Sequence, residues 1–170
     1  MKNFLLVIFL FFNFNNLFAE NKIAYINVSY ILNNSAVGLS INEHIKNIRD
    51  EKVEEFKIIE KQLSDMDKDI LKKKNIVERN ELQKDIDKLN LEIKKYRKKK
   101  KSFNDEINKK KLDYTKKVLQ TMNPIISNYV EKNSITIVFD KKNVVVAKKE
   151  LDITNPIMEL LNKKLNKLDF

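Results

Sequence analysis

Residues 63–96 of the chain, LSDMDKDILKKKNIVERNELQKDIDKLNLEIKKY, contain the pattern that decides the fold. Apolar residues recur there at alternating spacings of three and four, on both sides of a polar break at residues 72–80. This 3.5-residue repeat is typical of a left-handed coiled coil. The sequence therefore predicts two long helices that fold back on each other as an antiparallel hairpin, with its tip at about residues 72–80.

The pattern extends outward from this stretch and defines an arm over residues 41–123. On the outbound side, Ser40 is the predicted helix N-cap and Glu43 is its capping-box partner. Gly38 is assigned to a loop before the helix, where it is free to adopt positive φ. On the return side, Pro124 is expected to kink or interrupt the helix, because it lacks a backbone donor and clashes with the preceding turn.

The segments outside the arm, residues 20–40 and 124–170, indicate a small β-rich body with a C-terminal helix. Alternating and β-branched residues predict short strands at 22–28, 135–139 and 144–147, the last two joined as a hairpin. Three short strands bury little apolar surface by themselves. We therefore expect the body to be an obligate oligomer.

The first residues predict a secretory leader. Lys2 precedes the apolar run FLLVIFLFF at residues 4–12, which is short for a membrane span. Small Ala19 suits signal-peptidase cleavage, so residues 1–19 are the expected signal peptide and the protein is expected to be secreted. An uncleaved membrane anchor is the alternative interpretation.

Residues suited to catalysis are scarce. The chain has one histidine, His44, and no cysteine, which removes the common zinc sites and Cys–His catalysis. A single glycine is too few for phosphate-binding loops. We expect no enzymatic activity, no metal and no cofactor, with His44 on the surface of a helix.

Positive charge is concentrated in one stretch of the arm. The chain has a formal net charge of +10, and residues 41–123 carry 24 Lys and Arg against 17 Asp and Glu. Three interpretations stay open for the densest run: a solvated helix face, a contact for acidic protein segments or anionic lipid head groups, and a nucleic-acid site. A secretory leader argues against nucleic acid. The cations of this basic run are Lys94, Lys95, Arg97, Lys98, Lys99, Lys100 and Lys101.

The order of elements is more specific than any one of them. The chain reads KIAYINV at 22–28, then a lysine-rich helical hairpin, then MNPIISNYVEKNSITIVFD at 122–140, and Asp152-Ile153-Thr154 before the last helix. In this order it resembles the Skp (OmpH-like) family of periplasmic chaperones. The resemblance implies an α+β homotrimer shaped like a jellyfish. Strands of three subunits would build a small β-barrel body, from which three tentacle-like hairpins hang around a cavity.

The resemblance also implies a function and the surfaces that perform it. The expected activity is an ATP-independent periplasmic holdase for unfolded outer-membrane β-barrel proteins. The basic charge, apart from the resemblance, adds anionic lipid or lipopolysaccharide as candidate partners. The alternatives are a structural coiled-coil protein of the envelope and a basic protein that binds anionic lipid. The candidate client-facing residues are Phe56, Tyr96, Phe103 and Tyr114, most of which suit the coiled-coil seam equally well. The candidate residues of the trimer body are Ile23, Tyr25, Ile26, Ile137, Val138 and Phe139.

Overall fold

A computed structural model of the chain describes residues 22–170. The predicted leader, including the cleavage site after Ala19, lies outside the described residues. Within the described part, no helix combines the length and the apolar composition that crossing a membrane requires. The elements in chain order are β1 (Lys22–Ile26), α1 (Val28–Asn34), α2 (Ala36–Lys73), α3 (Arg79–Lys132), β2 (Ile135–Asp140) and α4 (Thr154–Lys164).

The two longest helices form the predicted hairpin. Helix α2 has 38 residues and α3 has 54, so they extend about 57 and 81 Å at 1.5 Å per residue. Their pairing is antiparallel. Lys73 lies 2.8 Å from Asp85 near the turn, and the rings of His44 and Tyr114 lie 5.9 Å apart near the root. The connection between the helices occupies residues 74–78.

The seam of the hairpin follows the heptad positions read from the sequence. Phe56 and Leu89 are buried between the helices, and Ile45 and Ile107 are buried at the root. The remaining heptad residues are half-buried, because two helices cover a seam from only two sides. These half-buried residues are Leu63, Met66, Ile70, Leu82, Ile86, Ile93, Tyr96 and Phe103.

The body is built on a two-stranded parallel sheet. Strand β1 pairs with β2 so that Ile23 lies opposite Ile137 and Tyr25 lies opposite Phe139. The inner face of this sheet packs on a core to which the end of α3 contributes Met122. The last turns of the predicted arm therefore belong structurally to the body.

Two long-range hydrogen bonds tie the C-terminal helix to the start of the chain. The N–H of Asn27 donates to the hydroxyl oxygen of Thr154 at 2.8 Å. The N–H of Ala36 donates to the side-chain oxygen of Asn162, also at 2.8 Å. Ile157 and Leu161 of α4 are fully buried in the same core, so the helix is an integral part of the body.

The predicted start of the outbound helix is wrong. Helix α2 begins at Ala36, and its N-cap is Ser35, whose hydroxyl accepts the N–H of Gly38 at 3.2 Å. Ser40 and Glu43 lie inside the helix. Gly38 is helical and buried, and no described glycine has positive φ. A side chain at Gly38 would instead collide with the backbone of Leu32, so the glycine permits α1 and α2 to approach closely.

The expected break at Pro124 is absent, since α3 continues through the proline to Lys132. A proline inside a helix removes one backbone hydrogen bond and costs about 3 kcal/mol. Here Met122 and Ile125 on either side are buried in the body core. Tertiary packing holds the helix together where local propensity disfavours it.

The expected third strand is also absent from the single subunit. Residues 144–147 lie between two 3₁₀ turns, Lys141–Asn143 and Lys149–Leu151. The side chains of Val145 and Val146 are 98% and 89% exposed. β-branched residues favour a strand only where a neighbouring strand is present to pair and pack with them. Within residues 22–170 this segment has no such neighbour, so the predicted hairpin does not form.

Candidate functional site

The basic run lies on α3, midway along the arm, and part of it is neutralised locally. Lys95 pairs with Glu92 at 2.8 Å, and Lys101 pairs with Asp105 at 2.7 Å, both within α3. Exposed pairs of this kind contribute little to stability, because water and salt screen them. Their main consequence is that these lysines present less free charge to a partner.

Lys99 and Lys100 point across the seam and bind carboxylates of α2. Lys99 pairs with Glu55, and Lys100 lies 3.5 Å from Glu60. The hydroxyl of Tyr96 donates to the same Glu60 carboxylate and accepts from Lys100 Nζ at 3.1 Å. We call these five side chains the polar clasp. It connects the two helices at a point where the heptad seam is interrupted by a lysine.

The clasp favours the ionised form of both glutamates. The hydrogen bond from Tyr96 lowers the pKa of Glu60 below its usual value, and the charge of Lys100 adds to the effect. Hydrogen bonds from Lys52 and Lys99 lower the pKa of Glu55 in the same way. Both glutamates of the clasp are therefore ionised at neutral pH.

The remaining cations of the basic run point outward. Among residues 22–170, no carboxylate lies within ion-pair distance of Lys94, Arg97 or Lys98. Their spacing of three and four places them on one exposed side of α3. We call these three residues the outward cations. They are the part of the basic run that is available to an anionic partner.

The predicted client-facing aromatic residues lie mainly in the seam. Phe56 is only 6% exposed and meets Tyr96 and Phe103 edge-to-face, with ring centroids 5.7 and 5.8 Å apart. Tyr114 is buried at the root. Neither Phe56 nor Tyr114 is exposed on the arm, and their role as client contacts stays a prediction. They occupy heptad positions, and in a two-helix hairpin those positions face the partner helix.

A different set of apolar side chains is exposed along the arm, and the sequence reasoning missed it. Their positions do not fit the heptad repeat of the seam. That mismatch is the feature of the sequence from which they could have been predicted. An apolar residue that the seam does not use must lie on an outer side of the hairpin. The most exposed members are Val53, Ile58, Leu71, Ile76, Leu91 and Leu112.

The candidate trimer residues divide between the two faces of the sheet. Ile23, Ile137 and Phe139 are on the outer face and are each nearly half exposed, Ile137 at 47%. Ile26 is buried in the core of its own subunit, and Val138 packs against that core. Ile26 and Val138 therefore face the core of their own subunit, because side chains alternate between faces along a strand, and their intersubunit role stays a prediction.

Tyr25 is on the outer face by alternation but is covered within the subunit. The N–H of Ile153 donates to the carbonyl of Tyr25 at 3.0 Å, which brings Asp152 alongside the strand. Burial, and after it the negative charge of Asp152, raises the pKa of the Tyr25 hydroxyl. The uncovered apolar part of the sheet is therefore Ile23, Ile137 and Phe139, which we call the outer sheet patch.

A small sheet that carries a long helical hairpin, with apolar groups and cations exposed on the arm, defines the class of protein. The chain belongs to the OmpH-like outer membrane protein family, whose profile matches residues 22–161. The predicted resemblance is thereby confirmed. Groups of His, Cys, Asp or Glu arranged to hold a metal ion are not found within residues 22–170.

Comparison with solved structures supports the same fold. A proposed outer membrane chaperone (OmpH-like) from Caulobacter crescentus superimposes with a TM-score of 0.75. The match covers 87% of this chain and 88% of that chain, at 18% sequence identity. It confirms the predicted combination of long helices with a small sheet. No curated protein sequence matches the chain.

Proposed function

We propose that the protein is an ATP-independent periplasmic holdase that keeps unfolded outer-membrane β-barrel proteins soluble between the arms of a homotrimer. The observation that carries this proposal is the surface of the arm. The hairpin joins the body only at its root, and its sides expose apolar residues next to unpaired cations. An unfolded barrel protein exposes alternately apolar strands with unpaired backbone edges. Many weak contacts along such arms suit a client without fixed shape.

The outer sheet patch and the exposed valines support assembly into an oligomer. An apolar patch that stays in water is unfavourable and usually marks an interaction site. Val145 and Val146 come after β2 and the 3₁₀ turn Lys141–Asn143, and they are suited to pair with a strand of another copy. A trimer would cover both features and would surround a space with three arms.

The holdase proposal is tested by diluting a urea-unfolded outer-membrane β-barrel protein into buffer and following its aggregation by light scattering. The protein is expected to suppress the scattering without nucleotide. A variant with Ile58, Leu91 and Leu112 changed to Ser should suppress it less, because these contacts are lost. These side chains are exposed, so the helical circular dichroism should be unchanged.

Small-angle scattering separates the holdase from a structural coiled-coil protein. A hollow particle with the mass of three chains, whose interior fills when the client is added, supports the holdase. A rod-shaped dimer that ignores the client would contradict the holdase and favour the structural role.

The outward cations support a second candidate function, the binding of anionic head groups of lipid or lipopolysaccharide. Three unpaired cations on one side of a helix attract phosphate as well as acidic protein segments. Binding of the protein to vesicles with and without anionic lipid distinguishes lipid binding from the holdase function. If binding to anionic vesicles is tight and clients stay aggregated, this function replaces the holdase.

The role of the outward cations in client capture is tested with two matched triple variants. Lys94, Arg97 and Lys98 are changed to Gln in one, and Lys95, Lys99 and Lys101 in the other, so that both lose three charges. The first variant should capture an acidic client more slowly at low salt, and the difference should shrink as salt screens the charges. Equal slowing would assign the effect to net charge alone. No slowing in either would make the basic run a solvated helix face.

A further inference from the structure

The last six residues of the chain leave the body and reach the root of the arm. Helix α4 ends at Lys164, and the N–H of Leu165 closes it with a 2.7 Å bond to the carbonyl of Leu161. Beyond this point Leu168 packs against the body core and also against the cluster of Ile45, Ile107 and Tyr114 at the arm root. The tail therefore touches both parts of the molecule.

The final residue occupies an aromatic site built by the two arm helices. Phe170 stacks on His44, with ring centroids 3.9 Å apart and planes inclined by only 7°. It also meets the edge of Tyr114 at 5.4 Å and 70°. His44 belongs to α2 and Tyr114 to α3, so the terminal ring contacts both helices where the hairpin begins.

The geometry of this contact favours specific docking over incidental proximity. The edge-to-face contact of Phe170 with Tyr114 falls within the 4.5–7 Å range that is favourable for aromatic rings, and the parallel contact with His44 is closer than that range. Phe170 is nevertheless 53% exposed, so the ring can leave its site without opening the core. A short tether keeps the effective concentration of the ring high, on the order of millimolar.

We propose that residues 165–170 form a strap, which docks Phe170 against His44 and Tyr114 and thereby restrains the arm at its root. The body end of the strap is anchored by α4. Its other end crosses from the body to the arm, so any swing of the hairpin about its root must stretch the strap or undock it. The docked strap limits the swing, and the undocked strap permits it.

Docking is tested by NMR of the single histidine. The chain contains one histidine, so the imidazole signals belong to His44 without further assignment. The stacked Phe170 ring shields them, and Phe170→Ala should therefore move them downfield. Asp169→Ala, which changes the neighbouring exposed residue, is the control and should leave them in place. Unchanged signals in Phe170→Ala would show that the ring is not docked and would overturn the proposal.

Restraint is tested by spin-label distances, since the chain has no cysteine to compete with introduced ones. Labels at Glu159→Cys on α4 and Lys61→Cys on α2 report the angle between body and arm, with labelled subunits diluted into unlabelled protein. The distance distribution should broaden in Phe170→Ala and keep its width in Asp169→Ala. A width that does not change on removal of the docked ring would contradict the restraint.

Hydrogen exchange gives an independent measure of the same effect. Loss of the aromatic contacts should accelerate exchange in peptides covering residues 41–48 and 107–114 by about two- to tenfold. The hairpin tip should be unaffected. The importance of the strap for clients rests on the proposed function, because restrained arms would limit the volume available to them. None of these measurements includes a client, so the strap and the holdase can fail separately.

Discussion

Ser35 is the single residue between α1 and α2, and it caps both helices. Its N–H closes α1 by donating to the carbonyl of Ile31 at 2.9 Å, and its hydroxyl begins α2 by accepting from Gly38. The residue is completely buried, so water cannot replace either bond. A capping interaction of this type contributes about 1 kcal/mol to the free energy of unfolding.

The position of the N-cap can be tested with two serines of the same helix. Ser35→Ala should lower the free energy of unfolding by about 1 kcal/mol, because the N–H of Gly38 loses its acceptor. Ser40→Ala should change it by less than about 0.5 kcal/mol, since Ser40 lies inside the helix. Urea unfolding followed by circular dichroism measures both. A larger loss of unfolding free energy for Ser40→Ala than for Ser35→Ala would instead favour the predicted capping box of Ser40 and Glu43.

Gly38 should respond to substitution in the direction opposite to an ordinary helical glycine. Glycine to alanine inside a helix usually stabilises by roughly 0.5–1 kcal/mol. Here the new methyl group would lie 2.8 Å from the carbonyl carbon of Leu32. Gly38→Ala should therefore destabilise the body by about 1–3 kcal/mol, as overpacking does. Thermal unfolding tests this, and a rise in Tm would contradict the close approach of the helices.

The polar clasp makes the arm sensitive to acid. Because the folded pKa of Glu60 is lowered from 4.5, its ionised form stabilises the folded arm above that pH. This contribution is lost as the pH falls through the folded pKa. The Tm difference between the natural protein and Glu60→Gln should therefore be constant above about pH 5 and should shrink below about pH 4.5.

The control for this pH experiment is Glu54→Gln. Glu54 pairs only with Lys57 in its own helix, at 2.7 Å, and does not connect the two helices. Its substitution should have little effect on the pairing of the arms. A Tm difference for Glu60→Gln that stays the same down to pH 3 would show that the clasp does not favour the ionised glutamate.

The arm could be predicted from the sequence because its contacts are local and periodic. Every apolar heptad residue from Leu63 to Ile107 that was assigned to the seam is buried or half-buried in the structure, whereas Lys100 at a core-type position is exposed. The boundaries at Ser35 and Pro124 could not be predicted, because the body overrides local propensity there. The pairing of β1 with β2 was also out of reach, since no periodicity tells parallel from antiparallel partners.

The candidate surfaces were predicted less well than the fold. The sequence identified the basic run, but only the position of α2 shows that Lys99 and Lys100 are engaged across the seam. Aromatic residues were preferred as client contacts because of their chemistry, although heptad phase assigns Phe56 to the seam. Apolar residues outside the phase, such as Ile58 and Leu112, would have been the better choice.

Assembly of the whole molecule should depend on the outer sheet patch. Ile137→Asp introduces a charge into this exposed apolar face, where an interface would bury it without a partner. We expect the mass measured by light scattering to fall from three chains to one. Leu112→Asp introduces the same charge on the exposed side of the arm and should keep the oligomer. A trimer that survives Ile137→Asp would show that the sheet face is not the interface.

The body joins β1 to segments far along the chain, and this determines the order in which the protein can fold as it emerges. Asn27 and Thr154 are hydrogen-bonded although 127 residues separate them along the chain. When a polypeptide emerges amino end first through a narrow channel, its helical hairpin can form early, because the two helices are neighbours in sequence. Strand β1 cannot pair until β2 has also emerged, and its link to Thr154 forms only after α4 has followed. During that interval β1 is an unpaired strand with an exposed edge. It is then open to aggregation, as the strands of an unfolded β-barrel protein are.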